Sequence, residues 1–290
     1  MQGQIIRLIS NQYLVLLDDQ RIVDCIARGK VRLQMAPVVG DRVEVEHLED
    51  KFGIEKIYPR LNYLKRPPMA NIDQAIIVMS AVEPDFSALL VDQLIFLISC
   101  ERILPILLVT KMDLVKPDDQ IYQHIADYRN SGYQVILTGK EYDNFDVLSA
   151  LLAHKVTVLT GQSGVGKSSF LNRLDPTFEL ITQEISVALG RGKHTTRHVE
   201  LHAIGEGWIA DTPGFSKLDF SLLTKEQLAA SILDFQPYQG KCRFRDCLHD
   251  KEPGCCIKEA VANGTVSSIR YQHYLECLGY IEEGRKASYD

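Results

Sequence analysis

The order of two nucleotide-binding motifs constrains this chain more than any other feature of its sequence. Residues 161–168 are Gly-Gln-Ser-Gly-Val-Gly-Lys-Ser, which matches the G-x-x-x-x-G-K-S pattern of a phosphate loop. The segment Thr110-Lys111-Met112-Asp113, here called the guanine motif, has the form of a guanine-specificity element and precedes the phosphate loop. GTPases ordinarily carry these motifs in the opposite order. The arrangement therefore predicts an α/β P-loop GTPase domain that is circularly permuted.

Short segments of alternating apolar and polar residues fill the N-terminal part of the chain. They lie at 5–9, 13–17, 21–26, 41–46 and 54–57 and are separated by turn residues. Period-two alternation at this spacing predicts about five antiparallel strands, which suits a small all-β barrel of the OB type. Such barrels often bind nucleic acid, although many are purely structural, so both roles stay open at this point.

The pattern changes after Lys65-Arg66-Pro67-Pro68, a Pro-rich segment that predicts a hinge. Helices are expected at about 86–100, 118–130 and 147–152. Between them lie continuous apolar segments, typical of strands buried on both faces, at 75–79, 105–109, 133–137 and 156–160. This alternation predicts a mostly parallel sheet. The expected domains are the small barrel (1–64), the GTPase domain (65–222) and a helical zinc-binding domain (223–290).

The phosphate loop predicts the contacts to the nucleotide phosphates and to Mg²⁺. Its glycines let backbone N–H groups face the phosphates, while Lys167 would reach the β- and γ-phosphates and Ser168 would bind Mg²⁺. After a later apolar segment, Asp211 would support Mg²⁺ and the Gly214 N–H would meet the γ-phosphate. The predicted nucleotide contacts are Thr110, Lys111, Asp113, Gly161, Gln162, Ser163, Gly164, Val165, Gly166, Lys167, Ser168, Ser169, Asp211 and Gly214.

The guanine motif predicts selection of GTP over ATP. The Asp113 carboxylate can accept hydrogen bonds from guanine N1–H and the exocyclic amine, and adenine offers neither donor there. Most such motifs begin with Asn, whereas this one begins with Thr110, which has fewer hydrogen-bonding groups. The Lys111 stem would pack along the base, and Thr138-Gly139-Lys140, here called the second base loop, is expected to contact it too.

A basic, glycine-rich segment at 190–197 is expected to change order with the bound nucleotide. One threonine there should bind Mg²⁺ and the γ-phosphate, and the sequence leaves Thr195 and Thr196 open. Most GTPases place a water-orienting Gln where this chain has Phe215, which cannot polarise water. Slow intrinsic hydrolysis is therefore expected, with His194 or a group on a partner as the missing contributor. The predicted catalytic residues are Lys167, Ser168, His194, Thr195 and Thr196.

The seven cysteines are concentrated near the C-terminus. An odd count without an export signal argues against a disulfide framework. Cys242, Cys247, His249 and Cys255 supply three thiolates and an imidazole, a full set for one structural Zn²⁺. Cys256 adjoins Cys255, so the fourth ligand is open between them, with Cys255 favoured because Gly254 precedes it. The surrounding basic residues, either an RNA-binding face or a solvated rim, are Lys241, Arg243, Arg245, Lys251 and Lys258.

Bulk composition limits the class of partner and the compartment. The net charge of -6 argues against a protein that coats nucleic acid non-specifically, although it allows a local basic face. No apolar segment approaches the roughly 18 residues of a transmembrane helix. The N-terminus, Met1–Ile5, also lacks a signal pattern. A cytoplasmic monomer without a membrane partner is expected.

Together these residues resemble the ribosome small-subunit-dependent GTPase A family, the bacterial circularly permuted GTPases of 30S maturation. The similarity covers nearly the whole chain, from the barrel through GQSGVGKS, GRGKHTTR and DTPGF to the Cys/His motif. It implies GTP hydrolysis to GDP stimulated by the 30S subunit, with barrel and zinc unit holding its 16S rRNA late in assembly. It also implies GTP and Mg²⁺ contacts at Lys167, Ser168, Asp113 and the switch threonine, and the zinc ligands named above. The apolar Phe215 matches a family trait.

Two other functional classes are compatible with parts of the sequence. A metabolic P-loop kinase or ATPase would explain the phosphate loop, but neither Asp113 nor the Cys/His motif. A non-hydrolysing, GTP-gated RNA-binding scaffold would explain Phe215. Competition by ATP would identify the first class, and turnover with ribosomal subunits would identify the second.

Overall fold

The structure is a computed structural model that describes residues 1–9, 11–29, 31, 35–48, 51–65, 67–140, 144–175, 199–211 and 218–287. These residues form two compact units. The first contains the described residues of 1–74, 144–160 and 166–214, and the second contains those of 75–143, 161–165 and 215–290. The domain boundaries predicted from the sequence stay a prediction.

The N-terminal part of the first unit is a closed five-stranded barrel, as predicted. Its strands run in the order β1-β2-β3-β5-β4. Their bounds are β1 (Gln2–Ile9), β2 (Gln12–Leu17), β3 (Ile22–Ala27), β4 (Arg42–His47) and β5 (Phe52–Ile57). Alternate residues point inward, so Ile5, Val15, Val43 and Ile54 are fully buried in the barrel.

One pairing in the barrel corrects the expectation of antiparallel strands. Strands β3 and β5 are parallel, with Ile26 opposite Gly53. The other four neighbouring pairs are antiparallel. An odd number of strands cannot alternate in direction all the way around a closed ring. A five-stranded barrel must therefore contain at least one parallel pair.

The predicted Pro-rich hinge is partly a two-stranded antiparallel sheet, β6 (Tyr63–Lys65) and β7 (Pro68–Ala70). Pro68 begins β7, a position that suits its missing N–H. Met69 and Ala70 are fully buried, and the Ala70 N–H donates to the Val39 carbonyl at 3.0 Å. The ends of the predicted hinge therefore belong to this small sheet, since Lys65 pairs with Pro68.

The second unit contains the first strands and helices of the GTPase region. In chain order they are β8 (Gln74–Ser80), α1 (Ala88–Cys100), β9 (Leu104–Thr110), α2 (Ile121–Asn130) and β10 (Gln134–Leu137). All seven residues of β8 are buried, and β9 and β10 are parallel. Helix α1 begins at Ala88 because the Ser87 hydroxyl accepts from the Leu90 N–H at 3.3 Å. The strands predicted at 75–79, 105–109 and 133–137 are present, although β10 is only partly buried, with Gln134 exposed.

The remaining GTPase elements described in the first unit are α3 (Phe145–Leu152), β11 (Val156–Thr160), α4 (Lys167–Leu174), β12 (His202–Ile204) and β13 (Gly207–Asp211). Strands β11 and β13 are parallel, whereas β12 and β13 form an antiparallel hairpin. Gly207 packs against α3, where a Cβ atom would lie 2.0 Å from the Leu152 carbonyl oxygen. The α/β alternation predicted from the sequence is therefore present.

The C-terminal part of the second unit is helical, as predicted. It contains α5 (Lys225–Ser231), α6 (Cys256–Ala262) and α7 (Ser268–Ala287). Short 3-10 helices lie at Phe220–Leu222 and Leu233–Tyr238. Thr224 and Gln227 form a capping box that sets the start of α5. Among the residues described, no helix is both long and apolar enough to cross a membrane.

A buried ion network attaches α7 to the GTPase helices of the second unit. Arg270 on α7 is 1% exposed and its guanidinium lies 3.2 Å from Asp92 on α1, 2.8 Å from Asp127 on α2 and 2.6 Å from Asp234. The guanidinium also stacks over the Tyr128 ring, 4.6 Å from its centroid. Burial alone would lower the Arg270 pKa, but Asp92 and Asp234 raise it above its ordinary value. The arginine therefore stays charged. Its three aspartate partners connect α7 to α1, to α2 and to the 3-10 helix Leu233–Tyr238.

Candidate nucleotide-binding and metal sites

The phosphate loop lies between β11 and α4, the strand–loop–helix context that its function requires. Three of its glycines adopt positive φ, namely Gly161 (142°), Gly164 (80°) and Gly166 (95°). At Gly161 a Cβ atom would lie 2.1 Å from the Val78 carbonyl oxygen. Lys167 and Ser168 form the first turn of α4, where the positive end of the helix dipole favours phosphate.

The Thr110 hydroxyl connects the guanine motif to the phosphate loop. Thr110 ends β9, is 6% exposed, and donates to the Val165 carbonyl oxygen at 2.6 Å. The Met79 carbonyl oxygen lies 3.3 Å from the same hydroxyl. The single hydroxyl hydrogen is thus used inside the protein. In this position Thr110 holds the backbone of the phosphate loop in place. It does so without the side-chain amide of the Asn that usually begins this motif.

The second base loop packs directly against Asp113. The Met112 N–H donates to the Thr138 carbonyl at 3.1 Å. A Cβ atom on Gly139 would lie 2.6 Å from Asp113 Oδ1 and 2.8 Å from the Asp113 nitrogen. Only glycine leaves the carboxylate in this position. The two segments predicted to contact the base are therefore brought together, and Gly139 is the residue that permits their close approach.

Lys111 has a left-handed backbone, with φ of 58° and ψ of 32°, immediately before the 3-10 helix Met112–Leu114 that carries Asp113. Its ammonium group donates to the Glu83 carbonyl oxygen. This contact joins the end of the lysine side chain to the loop that follows β8. The stem is thus held at one end by the backbone turn and at the other by a carbonyl.

Asp211, which the sequence predicts to support Mg²⁺, lies at the end of a strand of the first unit. Asp211 is the last residue of β13 and pairs in parallel register with Leu159 of β11. Its backbone therefore lies at the carboxyl end of the strand that leads into the phosphate loop, where open α/β sheets bind ligands. Four other predicted site residues lie outside the described residues, namely His194, Thr195, Thr196 and Gly214.

The predicted zinc ligands form a compact group, here called the metal cluster. One ligand atom each from Cys242, Cys247, His249 and Cys255 lie within 4.8 Å of one another. His249 Nδ1 is 3.6 Å from Cys242 Sγ and 3.4 Å from Cys255 Sγ. A tetrahedral zinc ion with bonds of about 2.0–2.3 Å has ligand–ligand edges of about 3.5–3.8 Å. The donor set and spacing fit Zn²⁺ with no position left for water.

Contacts around the metal cluster hold its ligands in place. Burial lowers the pKa of His249, which favours the neutral ring that a metal ligand requires. The Tyr271 hydroxyl donates to the His249 carbonyl at 2.7 Å. Glu252 accepts the Leu248 N–H at 2.9 Å and the Asp250 N–H at 3.0 Å. Sequence patterns did not reveal these supporting residues, since neither belongs to a recognisable metal motif.

The positions of their sulphur atoms distinguish Cys255 from Cys256. Cys255 is 2% exposed and belongs to the metal cluster, whereas Cys256 is half-buried and does not. Gly254 precedes Cys255 with φ of 68°. It turns the chain so that the Cys255 side chain reaches the cluster. The Cys256 sulphur instead lies 3.0 Å from the Cys242 sulphur.

Sequence comparisons give the family. The family model described as RsgA GTPase matches residues 57–221, and the model described as RsgA N-terminal domain matches residues 2–54. The chain belongs to the RsgA GTPase family. It is therefore a GTP hydrolase, and a metabolic kinase or ATPase is excluded. This is the family that the sequence motifs resemble.

Full-length relatives and solved structures agree with the family. The "Small ribosomal subunit biogenesis GTPase RsgA 2" of Oceanobacillus iheyensis is 49% identical over 99% of both chains. The Bacillus subtilis protein named "Small ribosomal subunit biogenesis GTPase RsgA" is 44% identical over 99% of both chains. The crystal structure of YloQ, described as a circularly permuted GTPase, has a TM-score of 0.82 at 38% identity and covers 97% of this chain and 95% of its own. YjeQ from Thermotoga maritima has the same TM-score at 30% identity and covers 97% of this chain and 98% of its own. The predicted fold, a circularly permuted P-loop GTPase with an N-terminal barrel, is confirmed.

Proposed function

We propose that this GTPase binds the 30S ribosomal subunit and hydrolyses GTP to GDP and phosphate there, late in small-subunit assembly. The observation that carries the proposal is full-length similarity, because relatives named for small ribosomal subunit biogenesis align with 99% of this chain. A shared GTPase domain alone would not specify the partner. Here the barrel and the cysteine-rich C-terminal region are included in the aligned length.

The GTP site is assigned to the guanine motif, the second base loop and the phosphate loop. Asp113 accepts from guanine N1–H and the exocyclic amine, while the loop around Gly139 supports its carboxylate. This pair of acceptors gives GTP an advantage over ATP, because a buried acceptor without its donor costs about 1–3 kcal/mol. Gln162, Ser163 and Ser169 complete the residues that surround the phosphates.

Residues of the first unit would hold Mg²⁺ at the γ-phosphate. Ser168 is the second residue of α4 and Asp211 ends β13, and hydroxyl and carboxylate oxygens are the donors that Mg²⁺ prefers. The ion would neutralise charge that develops on the phosphate oxygens during hydrolysis. Lys167 would stabilise the same charge from the loop side. Gly214 would donate its N–H to the γ-phosphate, and Thr195 or Thr196 would close over it.

Hydrolysis is expected to depend on the partner. Phe215 has no group to orient water, so attack on the γ-phosphate needs a donor or acceptor from elsewhere. His194 is the candidate within this chain, and docking on the 30S subunit would place it or supply another group. The family relationship favours this cycle over a scaffold that never hydrolyses GTP.

The C-terminal unit is proposed to hold one structural Zn²⁺ and to contact 16S rRNA together with the barrel. Four protein ligands close the site, which argues for a structural ion. The basic rim beside it suits the phosphate backbone of RNA, to which Lys and Arg bind electrostatically. The domain limits 1–64, 65–222 and 223–290, the monomeric state and the cytoplasmic location belong to the same proposal.

The proposal is tested by GTP turnover of the purified chain alone, with 30S subunits and with 50S subunits. Strong stimulation by 30S only is expected, and stimulation by neither subunit would refute activation by the ribosome. The Lys167→Ala variant should lose turnover in all three conditions.

The RNA contact is tested by a double variant that carries Arg245→Gln and Lys251→Gln. This variant should weaken stimulation by the 30S subunit. The control is Lys116→Gln, which changes an exposed lysine far from the metal cluster in sequence and should leave the stimulation unchanged.

A further inference from the structure

A thiol outside the metal cluster lies against one of its ligands. The Cys256 sulphur is 3.0 Å from the Cys242 sulphur, although Cys256 is not a member of the four-ligand group. Its other polar neighbour is the Tyr238 carbonyl oxygen at 3.5 Å. Three thiolates and one imidazole already complete a tetrahedral zinc site, so the fourth sulphur in this region, that of Cys256, has no role in holding the ion.

The two sulphurs are close enough to form a bond after a small movement. A disulfide has an S–S distance of about 2.05 Å, so Cys242 and Cys256 need to approach by about 1 Å. They are 14 residues apart in the chain. The segment that joins them contains Gly254, which has a positive φ of 68° and precedes Cys256 by two residues.

Solvent species can reach this part of the cluster. A pocket of about 250 Å³ opens beside it and is lined by Cys242, Cys247 and His249 among other residues. Cys242 and Cys256 are half-buried, whereas Cys255 is 2% exposed. Susceptibility of a cysteine to oxidation follows its thiolate character and its exposure. Cys242, a thiolate when zinc is bound, is therefore an accessible target with a second thiol beside it.

We propose that Cys256 is the resolving thiol of a peroxide-sensitive zinc site, with Cys242 as the thiolate that is oxidised first. Hydrogen peroxide transfers one oxygen to the Cys242 thiolate, which becomes a sulfenic acid as hydroxide leaves. The Cys256 thiol then attacks this sulphur, the Cys242 S–O bond breaks, and water leaves as the disulfide forms. In total one thiolate, one thiol and one peroxide give one disulfide, one water and one hydroxide, so two electrons pass from sulphur to peroxide.

The disulfide removes one of four zinc ligands, and the site then loses its ion. A thiol reductant reverses the change and restores the ligand set. Cys247 and Cys255 also lie near Cys242, but as zinc ligands they are held by the ion. Without the free thiol of Cys256, a sulfenic acid at Cys242 therefore proceeds to sulfinic acid, which ordinary reductants do not restore. Cys256 thus determines whether oxidation of the cluster is reversible. The inference rests on the zinc site proposed above, and it is independent of GTP and of the ribosome.

The test uses the zinc-loaded full chain treated with hydrogen peroxide. A chromogenic chelator measures zinc release, and mass spectrometry of peptides prepared without reductant maps the cross-links. The expected result is zinc release together with a Cys242–Cys256 cross-link, followed by full recovery of zinc content after dithiothreitol and fresh zinc. Cys256→Ser should bind zinc before oxidation but fail to recover it, with sulfinic acid at Cys242. Cys100→Ser, which changes a thiol far from the metal cluster in sequence, should behave like the wild type.

Three outcomes would overturn the inference. They are a cross-link that joins another pair of cysteines, full recovery in Cys256→Ser, and a purified chain that holds no zinc. If Cys256→Ser does not fold, the cross-link map of the wild-type chain decides alone. A chain that is not stimulated by 30S subunits would refute the proposed function and leave this result unaffected.

Discussion

Substituting Gly139 by Ala should weaken GTP binding through displacement of Asp113. Gly139 has an ordinary backbone conformation, so alanine introduces no backbone strain there. Its effect comes from the new methyl group, which would lie 2.6 Å from Asp113 Oδ1 and 2.8 Å from the Asp113 nitrogen. Ordinary van der Waals contact begins at 3.4 Å, so the carboxylate oxygen must move by about 0.8 Å. One of the two neighbours is backbone, which cannot turn away as a flexible side chain would.

A displacement of this size is enough to break a hydrogen bond to the base. An N–H···O bond of about 2.9 Å that lengthens by about 0.8 Å exceeds the range of a hydrogen bond. A hydrogen bond to a charged group contributes about 1.5–3 kcal/mol. Loss of one such bond therefore predicts GTP affinity about 10- to 150-fold weaker. Affinity for ATP should change little, because ATP does not use these acceptors, so the preference for GTP should shrink.

The assay is competition of GTP, GDP and ATP against a fluorescent guanine nucleotide, with the variant and the wild type measured side by side. Gly279→Ala is the matched control, since the same methyl group on α7 meets no atom within 4 Å. Thermal unfolding of both variants separates loss of binding from loss of folding. Affinity within about twofold of the wild type would refute the reasoning that Asp113 recognises guanine in this packed position.

Three further predictions concern the contacts that hold the two sites. Thr110→Val should lower stability by about 1–3 kcal/mol and weaken GTP binding, because the buried Val165 carbonyl loses its donor, whereas Thr110→Ser should retain both in urea unfolding and nucleotide titration. Arg270→Met should cost about 3–5 kcal/mol in urea unfolding, because the buried carboxylates of Asp92 and Asp234 lose the guanidinium that neutralises them, and an effect below about 1 kcal/mol would contradict the network. Cys255→Ser should lose bound zinc by elemental analysis while Cys256→Ser retains it, and the reverse result would exchange their roles.

Contiguous motifs determined much of what is known of this protein. The phosphate loop, the guanine motif and the Cys/His motif each place their chemistry within a few consecutive residues, so spacing alone indicated the ligand. Their order along the chain indicated the permuted fold. Buried strands were equally evident, because continuous apolar segments such as 75–79 leave few alternatives.

Pairings between distant residues were decided only by the tertiary structure. Arg270 and Asp92 are 178 residues apart, and nothing in either local sequence marks a buried ion pair. Thr110 contacts Val165 across 55 residues, so the local sequence did not show what this threonine does in place of the usual Asn. The parallel β3–β5 pair follows from ring closure, a property of the whole barrel. Cys255 and Cys256 are adjacent in sequence, so only the direction of their side chains in space separates a metal ligand from the thiol beside it.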